Sequence, residues 1–334
     1  MVSRITIAVD AMSGDRGCEP VVRAAEQAVA HDEALSIVLV GRQSILEAFL
    51  MRAHPRIRIE HAPDVVTMAE RPSSVLRHKQ YSSMAVALHL VRDGHAHGCV
   101  SAGNTGALMA LGRSILRTYA GIERPAIIKR IPAPESRCHM LDLGANVEAS
   151  AEHLFQYAVM GSLMVSASEG IENPRVALLN VGREDIKGNE QVRLAAHMLA
   201  QSRIVNYTGY VEGNDLFRDE AEVVVCDGFV GNVALKTGEG VAMMLMEVLR
   251  CGLRESWYGR FVGWLAKPVL ARLLKRIDPA RHNGASLIGL QGVLVKSHGH
   301  ADETGLVAAI HQAVNEVEQQ VPQRISAALD EVDF

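Results

Sequence analysis

Short apolar segments alternate with amphipathic segments along almost the whole chain, and this alternation constrains the fold more than any other feature of the 334 residues. Strand-like segments are 4–9, 35–41, 56–62, 98–103, 126–132, 138–144, 175–182, 204–211, 222–228 and 292–299. Helices are predicted over 18–31, 44–53, 72–93, 150–169, 188–201 and 232–253, and from 105 and 303 onward. Because strands separated by helices of about 10–15 residues form βαβ units, the pattern predicts an α/β fold with a largely parallel sheet. Apolar strands such as "VALLNV" indicate a sheet covered on both faces.

Composition excludes several classes of protein. Hydrophobic residues make up 48% and charged residues 22%, as in globular rather than disordered chains. The net charge of −4 and the 4% of aromatic residues argue against nucleic-acid binding. Five cysteines without a CxxC pair argue against zinc and disulfides and favour a reducing cytoplasm. We expect no signal segment and no membrane-spanning run of ~18 apolar residues, so any membrane contact would be at the surface.

The segment "SAGNTGALMALG" (101–112) joins a predicted strand to a predicted helix. Open α/β sheets bind ligands at such turns, and free N–H groups at a helix start favour an anion. Gly103 and Gly106 would let an anion approach the backbone, while Asn104 and Thr105 offer polar side chains. An ordinary turn with an N-cap is the alternative interpretation.

Four further predicted strands end in the same way, with Asp, Asn or Gly before a helix, which predicts one ligand crevice lined by five loops. Amides, lysines and carboxylates at these ends could bind anions and orient them. These candidates are Asp10, Asn104, Asp142, Asn146, Lys187, Asn189, Asp227, Asn232 and Lys236. Solvated lysines and Asx-turn or N-cap aspartates are the alternatives. No GxSxG, HExxH, GxxxxGK[ST] or GxGxxG motif occurs, and no metal site is predicted. His298 and His300 could act as acid–base groups or metal ligands, or simply end a strand.

Seven separated motifs resemble the phosphate acyltransferase family of bacterial phospholipid synthesis over nearly the whole chain. They are "IAVDAMSGD", "SAGNTGALMA", "GIERPA", "LDLGANVE", "LLNVGREDIKGNE", "YVEGND" and "VVVCDGFVGNVALKTGEG". Two positions depart from the family pattern. Ser13 stands where the family usually has glycine, so Ser13 would be strained if its φ were positive. Glu148 stands where the family often has aspartate.

The resemblance implies transfer of a fatty acyl group from acyl carrier protein to inorganic phosphate, without a cofactor. It also implies an α/β/α fold similar to isocitrate and isopropylmalate dehydrogenases, a homodimer, and an acyl phosphate product for a membrane glycerol-phosphate acyltransferase. Under this hypothesis the "GNTG" turn would hold phosphate, and Lys187 and Lys236 would supply positive charge. Asn189 or Asn232 would lie near the oxyanion, and the three aspartates would orient these groups.

Residues 250–281 are expected to form a basic amphipathic helical appendage within a single catalytic domain over 1–334. The segment contains eight Lys or Arg, two Asp or Glu, and both tryptophans. Pro268 should break or kink it. Contact with an anionic membrane or with acyl carrier protein is predicted, with dimer or core packing as the alternative. The predicted contact residues are Trp257, Phe261, Trp264, Leu265, Arg272, Lys275 and Arg276.

Two other functions stay open from the sequence alone. A decarboxylating dehydrogenase could use the same fold, and a non-catalytic membrane scaffold could use the basic segment. The favoured hypothesis is a cytoplasmic acyltransferase that is peripherally associated with the inner face of the cell membrane.

Overall fold

The computed structural model describes residues 4–50, 53–132, 137–277 and 282–330, with residues 271–277 described by their backbone only. Its centre is an eleven-stranded sheet with the order β3-β2-β1-β4-β11-β10-β5-β6-β9-β7-β8. The strands are β1 Ile5–Asp10, β2 Leu35–Gly41, β3 Ile57–His61, β4 Gly98–Ser101, β5 Ala126–Arg130, β6 His139–Leu141, β7 Arg175–Leu179, β8 Asn206–Val211, β9 Val223–Val225, β10 Ala285–Ile288 and β11 Val293–Lys296.

Helices cover both faces of this sheet, which confirms the predicted α/β sandwich. They are α1 Glu19–His31, α2 Gln43–Phe49, α3 Pro72–His78, α4 Ser83–Arg92, α5 Thr105–Ile115, α6 Ala151–Glu169, α7 Glu190–Gln201, α8 Gly228–Arg254, α9 Trp257–Ile277, α10 Glu303–Glu318 and α11 Val321–Leu329. Alternate residues of a strand enter different cores, as their opposite directions require. Ala8 packs in the cluster that contains α4 and α5 residues, whereas Ile7 packs with α1 and α10.

The sheet is mostly parallel, but its two halves run in opposite directions. Strand β10 is antiparallel to both β11 and β5, and β5 is antiparallel to β6. The strands β1, β2, β3, β4 and β11 therefore point one way, while β6, β7, β8 and β9 point the other way. This reversal corrects the expectation that all five polar strand ends share one edge.

Three local expectations also differ from the structure. The helix predicted over 72–93 is two helices, because the Ser82 hydroxyl accepts a hydrogen bond from Ala85 N and starts α4 anew. Strand β10 was not predicted. Of the break or kink predicted at Pro268, the break does not occur, since Pro268 lies inside α9.

Helix α8 buries only two residues of its own, Gly228 and Gly231, although it is 27 residues long. The N–H of Gly228 donates to the carbonyl of Asn146 at 2.8 Å. A Cβ at Gly231 would overlap the carbonyl oxygen of Asp142. The start of the helix is therefore held by close backbone contact with the loop that follows β6. We call this contact the α8 seat.

Beyond this seat, α8 continues to Arg254 and α9 packs back against it. The hairpin that contains the predicted appendage thus begins within α8, before residue 250. In the described part of the chain, none of the helices combines the length and the apolar character that crossing a membrane requires.

We predict that Gly231→Ala lowers the free energy of unfolding by roughly 1–3 kcal/mol, because the new methyl group overpacks the α8 seat. Gly240→Ala in the same helix is the control, since a Cβ there meets no atom within 4 Å. Removing that helical glycine should leave stability unchanged or raise it by up to about 1 kcal/mol. Urea unfolding measures both, and equal stability of the two variants would contradict this account of the seat.

Candidate active site

The carboxyl ends of β1 and β4 hold a buried carboxylate and a hydroxyl. Asp10 is 1% exposed and accepts a hydrogen bond of 2.7 Å from the Ser101 hydroxyl. The same hydroxyl accepts one of 3.1 Å from the N–H of Gly103. Because Asp10 is linked to the start of the "GNTG" turn through Ser101, it orients this turn and is itself almost inaccessible.

Asn104 has a structural role at this turn. Its Oδ1 accepts from Ala107 N at 2.9 Å, which caps α5. Its Nδ2 donates to the carbonyl oxygens of Met68 at 2.7 Å and Glu70 at 3.2 Å. The amide thus uses its oxygen and both of its N–H groups within the protein. The groups that remain suited to an anion are the N–H groups of the first helical turn, beside the half-buried Thr105 and Gly106.

Gly103 and Ser13 show how closely the segments after β4 and β1 approach each other. A Cβ at Gly103 would lie 2.9 Å from the Ser13 hydroxyl oxygen and would overlap Met84 Cε. Ser13 is not among the residues with positive φ, whereas its neighbour Gly14 has a φ of +109°. The condition for strain at Ser13, a positive φ, is therefore not met. Its hydroxyl is buried and makes no hydrogen bond within the described residues.

Two lysines from different elements lie near the carboxyl ends of β1, β4 and β11, which we call this edge of the sheet. Lys296 ends β11 and lies in register with Ser101, which is itself in register with Asp10. Burial lowers the pKa of Lys296 to about 8, with a further lowering by Lys236 and an opposing effect of Asp15 and Asp10. Lys236 reaches the same edge from α8, and its Nζ lies 2.9 Å from His298 Nε2.

Glu239 links Lys236 to a third lysine. The Glu239 carboxylate lies 2.8 Å from Lys236 Nζ and 3.4 Å from Lys129 Nζ. Burial lowers the pKa of Lys129, and burial followed by the charge of Lys236 lowers that of His298. His298 is therefore a neutral imidazole near pH 7. We call Lys129, Lys236, Glu239, Lys296 and His298 the lysine cluster.

The lysine cluster contains residues that the sequence did not single out, namely Lys129, Glu239 and Lys296. The motif "KSHG" offered the signal for Lys296, because it ends a strand as "GNTG" does. Lys129 lies within a strand, so no end-of-strand rule could identify it. Of the predicted residues, the structure brings Asp10, Gly103, Asn104, Thr105, Gly106 and Lys236 to this edge.

Asp142 and Asn146 follow β6, which runs opposite to β1 and β4. Both residues contact the first turn of α8 at Gly228 and Gly231. The Asp142 carboxylate accepts from Ile127 N, Ala145 N, Asn146 N and Asn146 Nδ2 at 2.6–3.0 Å. Asn146 Nδ2 also donates to the Pro125 carbonyl at 2.9 Å. Burial raises the Asp142 pKa despite these hydrogen bonds. Both residues are buried and build the loop.

A separate cleft of about 650 Å³ lies among the starts of α6, α7 and α8. Asn189 and Asp227 line it as the N-caps of α7 and α8, and Glu148 lines it as well. Lys187 stands apart on an exposed loop, where its Nζ pairs with Glu184 at 2.8 Å. That hydrogen bond raises the Lys187 pKa. Asn232 is exposed beside Gly144, one turn before Lys236 on α8.

The cysteines do not supply a nucleophile to the site. Cys18, Cys99, Cys138 and Cys226 are buried, and Cys251 is exposed on the hairpin. Burial raises the thiol pKa of the four buried cysteines, so these thiols are neutral. In the described ranges, no group of three or more His, Cys, Asp or Glu is placed to hold a metal ion. His300, the other histidine considered from the sequence, pairs with Asp15 at 2.8 Å.

Comparisons with known proteins agree with this fold and its motifs. Residues 5–324 match the model of a family described as "Fatty acid synthesis protein". The phosphate acyltransferase of Marinobacter nauticus is 67% identical over 328 residues, which cover 98% of this chain and 96% of that protein. The phosphate acyltransferase of Pseudomonas aeruginosa is 51% identical over 328 residues, with 97% of each chain covered.

Solved structures of low sequence identity share the fold. A phosphotransacetylase from Streptococcus pyogenes aligns with a TM-score of 0.63 at 16% identity, covering 94% of each chain. A branched-chain phosphotransacylase from Enterococcus faecalis aligns with a TM-score of 0.60 at 12% identity, covering 94% of this chain and 99% of that one.

We predict that this edge binds sulfate, a dianion that does not titrate near neutral pH, and that the affinity falls about tenfold between pH values of about 7 and 9.5. Lys296 is cationic below its pKa of about 8 and loses its charge above it, and a hydrogen bond to a charged group is worth roughly 1.5–3 kcal/mol. Isothermal titration calorimetry measures the affinity at each pH.

Lys296→Arg should remove the pH dependence, because a guanidinium stays charged over this range. Lys187→Met is the comparison on the exposed loop and should leave sulfate binding unchanged. Lys296→Met removes the ammonium and should weaken sulfate binding near pH 7 about tenfold. If Lys187→Met weakens binding as much as Lys296→Met does, the anion site is not at this edge.

Proposed function

The chain belongs to the fatty acid synthesis protein family and is an acyltransferase that moves an acyl group to phosphate in phospholipid synthesis, and we propose that its donor is a fatty acyl thioester of acyl carrier protein. The observation that carries the proposed reaction site is the lysine cluster beside the start of α5. Two anions must meet during the reaction, the phosphate and the developing oxyanion, and this edge combines ammonium groups with helix-start N–H groups.

Phosphate is the nucleophile in this proposal. It lies at the "GNTG" turn, held by the N–H groups of the first turn of α5 and by the ammonium of Lys296. A phosphate oxygen attacks the thioester carbonyl carbon, the carbon–sulfur bond breaks, and an acyl phosphate forms. The proton that hydrogen phosphate loses passes to the departing thiolate, so the step balances without a further reactant. Because phosphate is already anionic, positioning and electrostatics are the main tasks of the protein.

Lys236 is the group that we assign to the oxyanion. It extends from α8 toward the same edge as Lys296 and is held between Glu239 and His298. Asn232 lies one helical turn away on the same helix and is the second candidate for this role. Asp10 orients the turn through Ser101. Lys187 lies on an exposed loop, and Asn189 and Asp227 line the separate cleft among the starts of α6, α7 and α8. We therefore give these three residues no part in this step, and their predicted catalytic roles stay predictions.

We further propose a homodimer. Several large apolar side chains near the starts of α6, α7 and α8 are exposed, namely Val147, Val181, Ile186, Phe229 and Val233. Val147 and Phe229 line the cleft among these helix starts, and apolar side chains that are exposed together mark an interaction surface. A second copy of the chain would cover it.

The α8–α9 hairpin is the proposed membrane contact. Trp257, Phe261, Trp264 and Leu265 are 53–76% exposed, and Val241, Met244 and Val248 are exposed on α8. Tryptophan and basic residues together suit an anionic lipid surface. The side chains of Arg272, Lys275 and Arg276 lie outside the described residues. Acyl carrier protein, which is acidic, is the other partner proposed for this basic surface.

Peripheral attachment to the inner face of the cell membrane suits the chemistry of the product. An acyl phosphate carries an apolar chain and is consumed, in this proposal, by a membrane glycerol-phosphate acyltransferase. Release next to the membrane would shorten its path through water.

The activity is tested with purified protein, palmitoyl acyl carrier protein and inorganic phosphate. Release of free thiol should depend on phosphate, and hydroxylamine should trap the acyl phosphate. Lys236→Met should lower kcat by about 10²–10³, the range for loss of one oxyanion donor. Thiol release without phosphate would indicate a hydrolase, and no release would favour the dehydrogenase, which a nicotinamide titration detects, or the scaffold. Lys187→Ala is assayed in parallel, and unchanged turnover would remove Lys187 from the mechanism.

Membrane contact is tested by flotation with phosphatidylglycerol vesicles. A variant with alanine at Trp257, Phe261 and Trp264 should lose most vesicle binding, because the apolar side chains that would enter the lipid are removed. Tyr81→Ala is the control, since Tyr81 is 72% exposed outside the hairpin. Equal flotation of the triple variant and the wild type would refute the membrane proposal.

A further inference from the structure

An apolar groove runs along α8 and meets the lysine cluster. Its volume is about 580 Å³, within the range of small-molecule sites. Its walls are α8 and the segment 213–217, with the end of β5 and β6 beneath. The main apolar lining residues are Ile131, Met140, Leu216, Phe217, Leu235 and Leu245.

The groove follows one face of α8. Its lining residues on this helix recur at the spacing of three and four that places side chains in one row, namely Leu235, Gly238, Ala242 and Leu245. At a rise of about 1.5 Å per residue, the stretch 234–245 is roughly 16 Å long. The groove is therefore elongated, as a linear apolar ligand requires.

Gly238 keeps the groove open beside Phe217. A Cβ added there would lie 3.3 Å from Phe217 Cζ on the opposite wall. Phe217 is 48% exposed, so the groove is accessible from solvent. Any larger side chain at position 238 would fill the space between the two walls.

Glu239 connects the groove to the lysine cluster. It lines the groove and pairs with both Lys236 and Lys129. Lys236 in turn lies 2.9 Å from His298 at the end of β11. A ligand with an apolar chain in the groove would thus present its polar end to the ammonium groups.

We infer that this groove binds the fatty acyl chain of the donor, with the thioester carbonyl directed at Lys236. The inference rests on the proposed function, and it adds the chain-binding site and the position, Gly238, at which a side chain would block it. Each methylene that leaves water for the groove strengthens binding about fourfold, so long chains gain most from it.

The first experiment compares hexanoyl and palmitoyl acyl carrier proteins as donors for Gly238→Leu. The leucine blocks the groove, so kcat/KM for the palmitoyl donor should fall at least about tenfold, whereas the hexanoyl donor should change by less than about threefold. Gly240→Leu is the matched control, because a Cβ at Gly240 meets nothing within 4 Å and the residue does not line the groove. An equal loss for both donors, or no loss for either, would overturn the inference.

A second measurement separates this inference from the proposed function. Binding of a fluorescent long-chain fatty acid needs no turnover, and Gly238→Leu should weaken it about tenfold while Gly240→Leu leaves it unchanged. If the wild type makes no acyl phosphate but shows this binding difference, the function fails and the groove stands. If Gly238→Leu changes only the oligomeric state by light scattering, the groove is a contact between copies and the inference fails.

Discussion

The site depends on how the first turn of α8 contacts the loop after β6. Gly228 and Gly231 bring the helix backbone against Asp142 and Asn146, with no side chain between them. Because no other residue of α8 is fully buried, we infer that this backbone contact sets where the helix points. Lys236 and Glu239 lie two to three turns further on, so a small tilt at the seat would move their charges away from β11.

Charges of both signs make the crowded lysines compatible with folding. Lys129, Lys236 and Lys296 would repel one another if they stood alone in a partly buried site. Glu239 pairs with two of them, and Asp10 and Asp15 act on the third. Although burial raises the Glu239 pKa, the hydrogen bond from Lys236 and the charge of Lys129 lower it overall. The carboxylate therefore stays ionised and keeps its pairs.

Polar and apolar chemistry meet along a single helix. Lys236 pairs with His298 at the charged edge, one face of α8 between Leu235 and Leu245 lines the groove, and the residues after it join the exposed hairpin. A fatty acyl phosphate has the same order of parts, with a charged head and an apolar tail. The proposed donor site on α8 is thus followed along the chain by the proposed membrane contact on the α8–α9 hairpin.

The sequence by itself determined the α/β class and most strand positions, because apolar periodicity and turn residues are local signals. It also identified the turn at Gly103, since glycine beside a strand end marks close backbone approach. It could not decide which polar ends meet, because the strand reversal at β10 and β5 depends on pairings between distant segments. Only the tertiary structure decided that the Asn104 side chain caps α5 and that the Asp142 carboxylate accepts hydrogen bonds from the loop after β6. It also decided that Lys129 and Lys296 lie near Lys236. The physical reason is that such charges are brought together by contacts between distant parts of the chain: Lys129 on β5 and Glu239 on α8 lie 3.4 Å apart but are separated by 110 residues in the sequence.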